Sequence, residues 1–164
     1  MPIEVTFSIK NKKLVVKDTS TQYKIEMSAT SGGWDEYDPL PKGKWVIAEN
    51  PSGLREYFGL FYLDSHINDQ FKDNGKWRDG IRFGYHRRSG SHGCIMARPF
   101  PNDLKNMSVP AATMKGYNLW DEVQMLIRTK GTKKVIRYQN DEIPHRKDST
   151  IYRITTYGYL TVTD

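Results

Sequence analysis

Apolar and polar residues alternate along most of the first thirty positions, with the period of two that is typical of strands with one buried face. Short polar turns interrupt the alternation twice, so we expect a three-stranded meander over residues 5–9, 14–17 and 23–29. Further apolar runs predict strands at residues 44–48, 56–63, 81–85 and 133–138, and a strand pair or one kinked strand at residues 151–162. The pattern indicates a mostly β protein.

Helical spacing is confined to the second half of the chain. Apolar residues recur at intervals of three and four between positions 119 and 127, which predicts an amphipathic helix ending near residue 130. A shorter helix is expected at residues 101–104, and loops at residues 66–78 and 107–117. Because no linker divides the 164 residues, we predict a single mostly β domain over residues 1–164, a β-sandwich or barrel with one or two short helices.

Charge and composition limit the kinds of binding partner that we expect for this protein. The net charge is +6, but the basic residues are scattered among 19 acidic ones and form no recognised nucleic-acid motif, so no nucleic acid is expected. No apolar run approaches the ~20 residues that cross a bilayer, so no membrane insertion is expected. The first residues lack the basic and apolar regions of a secretory signal, and we expect synthesis in the cytoplasm without Sec export.

The only cysteine, Cys94, has two of the four histidines close to it in the sequence. A thiol attacks carbonyl carbon as its thiolate, so a neighbouring imidazole that accepts the proton is the expected partner. We interpret residues 89–91 as a tight reversal that returns His86 to the sulfur, with His92 as an alternative base. Gly93 lets the backbone bend so that the N–H groups of Gly93 and Cys94 form an oxyanion hole, worth roughly 3 to 4 kcal/mol per donor.

The segment Ser91-His92-Gly93-Cys94-Ile95 resembles the Ser/Thr-His-Gly-Cys-hydrophobic signature of the YkuD-type L,D-transpeptidases, and His86 matches their upstream histidine. Residues 28–32 and 39–47 are similar to the Ser-Gly and Pro-x-Gly-x-hydrophobic-x-Ile segments of that family. The short spacing from His86 to Ser91 resembles more closely the Tlde1-like branch, L,D-transpeptidase-related toxins delivered by type VI secretion. The usual basic residue after Cys-hydrophobic is replaced by Met96, with Arg98 two places on.

The resemblance implies a β domain in which Cys94 is the nucleophile and His86 its base. It implies that His92 and Gly93 shape the turn and the oxyanion hole, and that Ser91 is a structural hydrogen-bonding residue. The implied reaction is attack on the L,D bond between meso-diaminopimelate and the terminal D-alanine of a stem tetrapeptide, through a thioester. Water as acceptor gives an L,D-carboxypeptidase, and a D-amino acid or a second stem gives an L,D-transpeptidase.

The implied partners and location follow from the same branch. Peptidoglycan stem peptides would be the substrates, no cofactor would be needed, and a cognate immunity protein and a secretion apparatus would be partners. The enzyme would act as an antibacterial toxin in the periplasm of a target cell. Guanidinium groups suit the carboxylates of stem peptides, so the expected substrate-binding residues are Arg82, Arg87, Arg88 and Arg98.

Two alternatives remain open from the residues alone. His86, His92 and Cys94 supply three N/S ligands, the number that a catalytic zinc site uses, which would give a zinc-dependent peptidoglycan amidase. A basic module that binds cell wall or nucleic acid without catalysis would also account for the positive charge.

Overall fold

The computed structural model describes residues 2–34, 37–86 and 90–164. Within these ranges the chain forms eleven strands and two helices. In chain order they are β1 (Ile3–Ser8), β2 (Lys13–Asp18), β3 (Lys24–Ser31), β4 (Gly43–Glu49), β5 (Phe58–Tyr62), β6 (Gln70–Asp73), β7 (Lys76–Asp79), β8 (Arg82–Tyr85), β9 (Ile95–Arg98), α1 (Pro101–Asn106), α2 (Val109–Lys130), β10 (Lys134–Tyr138) and β11 (Tyr152–Thr163).

Eight of the strands close into a barrel. Their order is β1-β2-β3-β9-β8-β5-β4-β11, and a parallel pairing of β1 with β11, with Val5 opposite Leu160, completes the ring. The prediction of a mostly β fold of the sandwich or barrel type is confirmed, with 42% strand and 18% helix. Closure leaves the barrel strands without free edges, which would otherwise offer unpaired backbone groups to other chains.

The strands bury their alternate apolar residues inside the barrel, as the period-of-two pattern predicts. In β1 and β2 the buried apolar residues are Ile3, Val5 and Phe7, then Leu14 and Val16. Helix α2 packs against β2, β3, β8 and β9 and adds Trp120 to the same core, where its ring lies edge-on to Phe83 at a centroid distance of 5.0 Å. The core thus unites strands from both halves of the sequence with one face of the helix.

The prediction of a loop at residues 107–117 is wrong, because α2 begins at Val109 and runs for 22 residues, so it is not a short helix. The Ser108 hydroxyl accepts a hydrogen bond from the N–H of Ala111 at 3.2 Å and caps the helix. Gly116 interrupts the apolar pattern there because the Tyr85 hydroxyl packs on it: an added Cβ would lie 2.5 Å from that oxygen.

The prediction of a loop at residues 66–78 is also wrong, since β6 and β7 form a hairpin with Phe71 opposite Arg78. A buried polar residue hides this hairpin in the sequence. The Gln70 side chain accepts a hydrogen bond from the backbone N–H of Glu142 at 3.0 Å, so this strand is fixed by polar contacts as well as by Phe71.

Of the two predictions for residues 151–162, a strand pair or one kinked strand, the structure shows one kinked strand, β11. The register of β11 with β4 shifts between Thr156 and Tyr159, and Gly158 there has a positive φ of 105°. One half of β11 pairs with β10 and the other half with β1. In the described ranges, neither helix combines the length and the apolar character that spanning a membrane requires.

Candidate functional site

The turn before β9 is fixed by Ser91, which is buried. Its hydroxyl donates to the carbonyl of Cys94 at 2.5 Å and accepts from the N–H groups of Gly32 and Gly93 at 3.1 and 3.2 Å. The hydroxyl of Ser31 donates to the carbonyl of Gly93 at 2.6 Å. These bonds tie the Cys94 turn to the end of β3, so residues 31–32 and 91–94 lie side by side.

Gly93 is required by both its backbone and its surroundings. Its φ is +106°, and an added Cβ would lie 1.9 Å from Nη2 of Arg78. Its N–H donates to Ser91 and is therefore occupied, which differs from the prediction that the Gly93 and Cys94 N–H groups together form an oxyanion hole. The absence of a side chain at Gly93 instead allows a guanidinium to pack against the backbone beside the cysteine.

The Cys94 sulfur lies in a partly buried position against the start of β8. Sγ is 3.3 Å from the backbone nitrogen of Arg82, which donates to it, and 4.0 Å from the carbonyl oxygen of Gly80. Burial raises the pKa of the Cys94 thiol, while the Arg82 N–H and the charges of Arg82 and Arg78 act in the opposite direction. The raised pKa favours the protonated thiol, so attack on a carbonyl needs a base.

The backbones of His86 and Cys94 lie at different levels of the paired strands β8 and β9. Strands β8 and β9 are parallel, with Phe83 opposite Ile95, and Cys94 lies at the level of Arg82. His86 follows β8 four residues further on, about 13 Å along the strand at 3.3 Å per residue. Residues 87–89 lie outside the described residues. The interpretation of residues 89–91 as a reversal that returns the imidazole to the sulfur therefore stays a prediction.

The His86 ring instead stacks on Trp34, at a centroid distance of 5.5 Å and an interplanar angle of 8°. His92 contacts the other side of this aromatic cluster, with its centroid 5.5 Å from that of Trp34 and 5.1 Å from that of Tyr37. Because His92 precedes Cys94 by two residues, their Cα atoms are at most about 7.6 Å apart. Of the two histidines, His92 has the Cα atom nearer to that of Cys94.

The expected substrate-binding arginines lie in different places. The Arg82 guanidinium forms a two-point ion pair with Asp69, at 2.9 and 3.0 Å. Burial raises the pKa of Asp69 even though Arg82 opposes it. Arg98 lies at the far end of β9 from Cys94 and lines a separate cavity beside Lys12 and Glu26. Arg87 and Arg88, like Ser89 in the predicted reversal, lie outside the described residues.

Arg78 is the functional candidate that the sequence reasoning missed. It projects from β7 to Gly93 and lines a groove of about 400 Å³. The other lining residues are Tyr37, Asp38, Asp73, Asn74, Lys76 and Trp77. A second cavity of about 360 Å³ lies on the other side of Tyr37, beside Trp34 and Gly90. No signal in the local sequence marks Arg78, since the segment has the composition of a polar loop.

The zinc alternative finds no support in the geometry. Among the residues that the structure describes, no three His, Cys, Asp or Glu side chains are grouped closely enough to hold a metal ion. The separation of His86 from Cys94 along the parallel strands accounts for this, because the three ligands of that hypothesis do not converge.

Comparisons with known proteins leave the family open. No family model matches the sequence, and no curated protein matches it. One solved structure, that of Bdellovibrio bacteriovorus Bd1075, is similar over 99% of this chain and 91% of that chain, with 14% identity and a TM-score of 0.39.

Proposed function

We propose that the protein is a cysteine enzyme of the L,D-transpeptidase type that modifies peptidoglycan. In this proposal Cys94 attacks the bond between meso-diaminopimelate and the terminal D-alanine of a stem tetrapeptide. The observation that supports it best is the placement of the sulfur, 3.3 Å from a donating backbone N–H in a Ser-His-Gly-Cys turn fixed by a buried serine. A hydrogen bond to the charged form favours the thiolate, which offsets part of the effect of burial.

The reaction proceeds in two steps, acylation of Cys94 and hydrolysis of the resulting thioester. The Cys94 sulfur forms a bond with the carbonyl carbon while the thiol proton passes to a base, and the D-alanine nitrogen takes a proton and leaves as the free amine. Water then adds to the thioester and releases the tripeptide carboxylate and the thiol. A D-amino acid in place of water gives exchange, and an amine of a second stem gives a crosslink.

We propose His92 as the base that accepts the thiol proton. His92 lies two residues from Cys94, whereas the parallel strands place His86 about 13 Å further along. His86, which the family resemblance implies as the base, has a positioning role in this proposal: its ring stacks on Trp34, and Trp34 in turn contacts His92.

The biological setting is part of the same proposal. Stem tetrapeptides occur in the bacterial periplasm, so the enzyme acts there as an antibacterial toxin carried by a secretion apparatus. An immunity protein would protect the producing cell. The support for this setting is the resemblance to the Tlde1-like branch.

Mass spectrometry of purified muropeptides incubated with the protein tests the chemistry. We expect loss of the terminal D-alanine, or its replacement when a D-amino acid is added, and no reaction with Cys94→Ala. The variants His92→Ala and His86→Ala separate the two bases: the first is expected to lower kcat by about 10²- to 10⁴-fold, as loss of a general base does, and the second by less.

Three outcomes would contradict the proposal. Unchanged muropeptides at high enzyme concentration would exclude the activity. Turnover that survives iodoacetamide but is lost with EDTA would favour the zinc amidase. Wall binding and toxicity that Cys94→Ala leaves intact would favour the non-catalytic module.

A further inference from the structure

Arg78 lies at the boundary between the groove and the Cys94 turn. We propose that its guanidinium binds the free terminal carboxylate of the substrate peptide, so that the enzyme recognises the chain end and removes or exchanges only a terminal residue. This inference rests on the proposed function and names the recognition element of the same site. It assigns this role to a residue of the β6–β7 hairpin, since Arg82 is paired with Asp69 and Arg98 lies at the far end of β9.

The position of the guanidinium fits a carboxylate one residue beyond the scissile bond. Nη2 packs on Gly93, where an added Cβ would lie 1.9 Å away, and Gly93 precedes the nucleophile directly. When a carbonyl carbon meets Sγ, the carboxylate of the next residue lies about 3.8 Å further along the peptide, the spacing of successive residues. The charge of Arg78 also acts against the rise in the pKa of Cys94, in keeping with its contact with Gly93.

The hydrogen-bond donors of Arg78 are incompletely used. A guanidinium carries five N–H groups. In this structure Nη1 donates to Asp73 Oδ2 at 2.9 Å, and Nη2 makes a long contact of 3.4 Å with the carbonyl of Asp38. Nε is buried and has no hydrogen-bond partner among the described residues. Because Nε is buried, a carboxylate that enters from the groove meets Nη2, whose contact with Asp38 is long.

The surroundings hold this donor set in place before any ligand arrives. The Arg78 side chain is only 10% exposed. Its guanidinium carbon lies 5.4 Å from the ring centroid of Phe71 and 6.0 Å from that of Tyr37. Asp73 fixes one end of the group without occupying the other. Because a preorganised side chain loses little freedom on binding, more of the interaction energy contributes to affinity.

The test compares two peptides that differ only at the C-terminus. A stem tetrapeptide ending in D-alanine carboxylate and the same peptide as its carboxamide are titrated by calorimetry into the Cys94→Ala protein, which cannot turn them over. We expect the carboxylate to bind about 10- to 100-fold more tightly, the range for charge-assisted hydrogen bonds. Adding Arg78→Gln should abolish that preference and leave carboxamide binding unchanged.

Two further variants keep the result interpretable. Lys72→Gln removes a positive charge from the same hairpin outside the groove, and should leave the preference intact. Arg78→Lys keeps the charge but not the planar pair of donors, and should retain a reduced preference even if Arg78→Gln does not fold, which thermal melting reports.

The outcomes separate this inference from the proposed function. Equal affinity for both peptides, or an equal loss of both in Arg78→Gln, would overturn the role of Arg78 and leave the proposed reaction standing. No binding of either peptide would overturn both proposals. If the carboxylate preference depends on Arg78 but the protein with intact Cys94 never cleaves the peptide, the recognition stands and the proposed reaction fails.

Discussion

Two arginines of this protein, Arg128 and Arg78, lie over aromatic rings and bind carboxylates, yet their surroundings differ in one respect. Arg128 of α2 lies 4.4 Å from the ring centroid of Phe58 and donates to both oxygens of Glu49, at 3.0 and 3.1 Å. Nη1 donates to the side chain of Gln124, and Nη2, which also bonds Glu49, donates to the carbonyl of Arg55. Arg128 therefore uses its donors within the fold, whereas Arg78 retains an unused buried Nε.

The difference separates a structural guanidinium from one prepared for a ligand. Arg128 joins the helix to β4 through a carboxylate that also accepts a hydrogen bond from Tyr157. Arg78 holds one carboxylate by a single nitrogen and faces a groove. Since both carry the same charge and similar burial, we infer that the count of satisfied donors, rather than the presence of an ion pair, distinguishes the two roles.

The largest expected effect is on stability. Arg128→Met leaves Glu49 partly buried without its cation, and we expect a loss of about 3 kcal/mol in the free energy of unfolding, since removing one partner of a buried pair costs this order. Arg78→Met should cost about 1 kcal/mol, because the cost of its buried Nε is removed along with the Asp73 pair. Urea denaturation monitored by circular dichroism measures both. Equal losses would contradict the distinction between the two arginines.

A glycine pair tests the close approach of Arg78. Gly93 and Gly75 both have positive φ, but an added Cβ meets Nη2 of Arg78 at Gly93 and nothing within 4 Å at Gly75. We expect Gly75→Ala to cost about 1 kcal/mol through backbone strain alone, and Gly93→Ala about 2 kcal/mol more through displacement of the guanidinium. Thermal unfolding of the two variants gives the comparison. If the two costs are the same, Arg78 does not pack on Gly93 in solution.

The pH dependence of stability should report the Arg128 pair. Burial acts to raise the pKa of Glu49, but Arg128 and Tyr157 outweigh it and the pKa is lowered. A carboxyl whose pKa is lowered on folding stabilises the fold above its unfolded pKa, and this contribution is lost as the pH falls through the folded value. We expect the acid-side loss of stability to shrink in Arg128→Met and to stay as in the wild type in Arg78→Met, measured by urea titrations between pH 3 and 7. If Arg128→Met loses as much stability at acid pH as the wild type does, the Arg128–Glu49 pair does not cause that loss.

The sequence predicts those parts of the fold in which one face of an element is apolar. The meander and the strand at residues 81–85 follow the period of two, and the second half of α2 follows the helical spacing. The β6–β7 hairpin escapes such a prediction because Gln70 is fixed by polar contacts with a distant segment. The first half of α2 escapes it because Gly116 is selected by contact with Tyr85, which local spacing does not reveal.

The candidate site also contains parts that the sequence predicts and parts that it does not. The Ser-His-Gly-Cys turn is visible in the sequence because its parts are contiguous. The separation of the His86 and Cys94 backbones is not visible in the sequence, because the same residues would fit a parallel or an antiparallel strand pair. The separation follows from the parallel register of β8 and β9. The sequence does not indicate Arg78 either, because its position beside Gly93 depends on how the β6–β7 hairpin packs against the barrel. The residues next to Arg78 in the sequence do not determine that packing.

The smallest effect should appear in the reactivity of the thiol. Burial raises the pKa of Cys94, and the charge of Arg78 acts against that rise. The folded protein should therefore react with iodoacetamide at a higher pH than an unfolded chain does, because only the thiolate reacts. Arg78→Gln removes the opposing charge, so the pH midpoint should rise further and the rate near pH 8 should fall a few-fold. Arg128→Met, whose charge lies with Glu49, serves as the matched control and should leave the alkylation profile unchanged. An equal shift of the pH midpoint in both variants would show that the two guanidinium groups affect Cys94 only through the net charge of the protein. In that case Arg78 would not differ from Arg128 in its effect on the thiol.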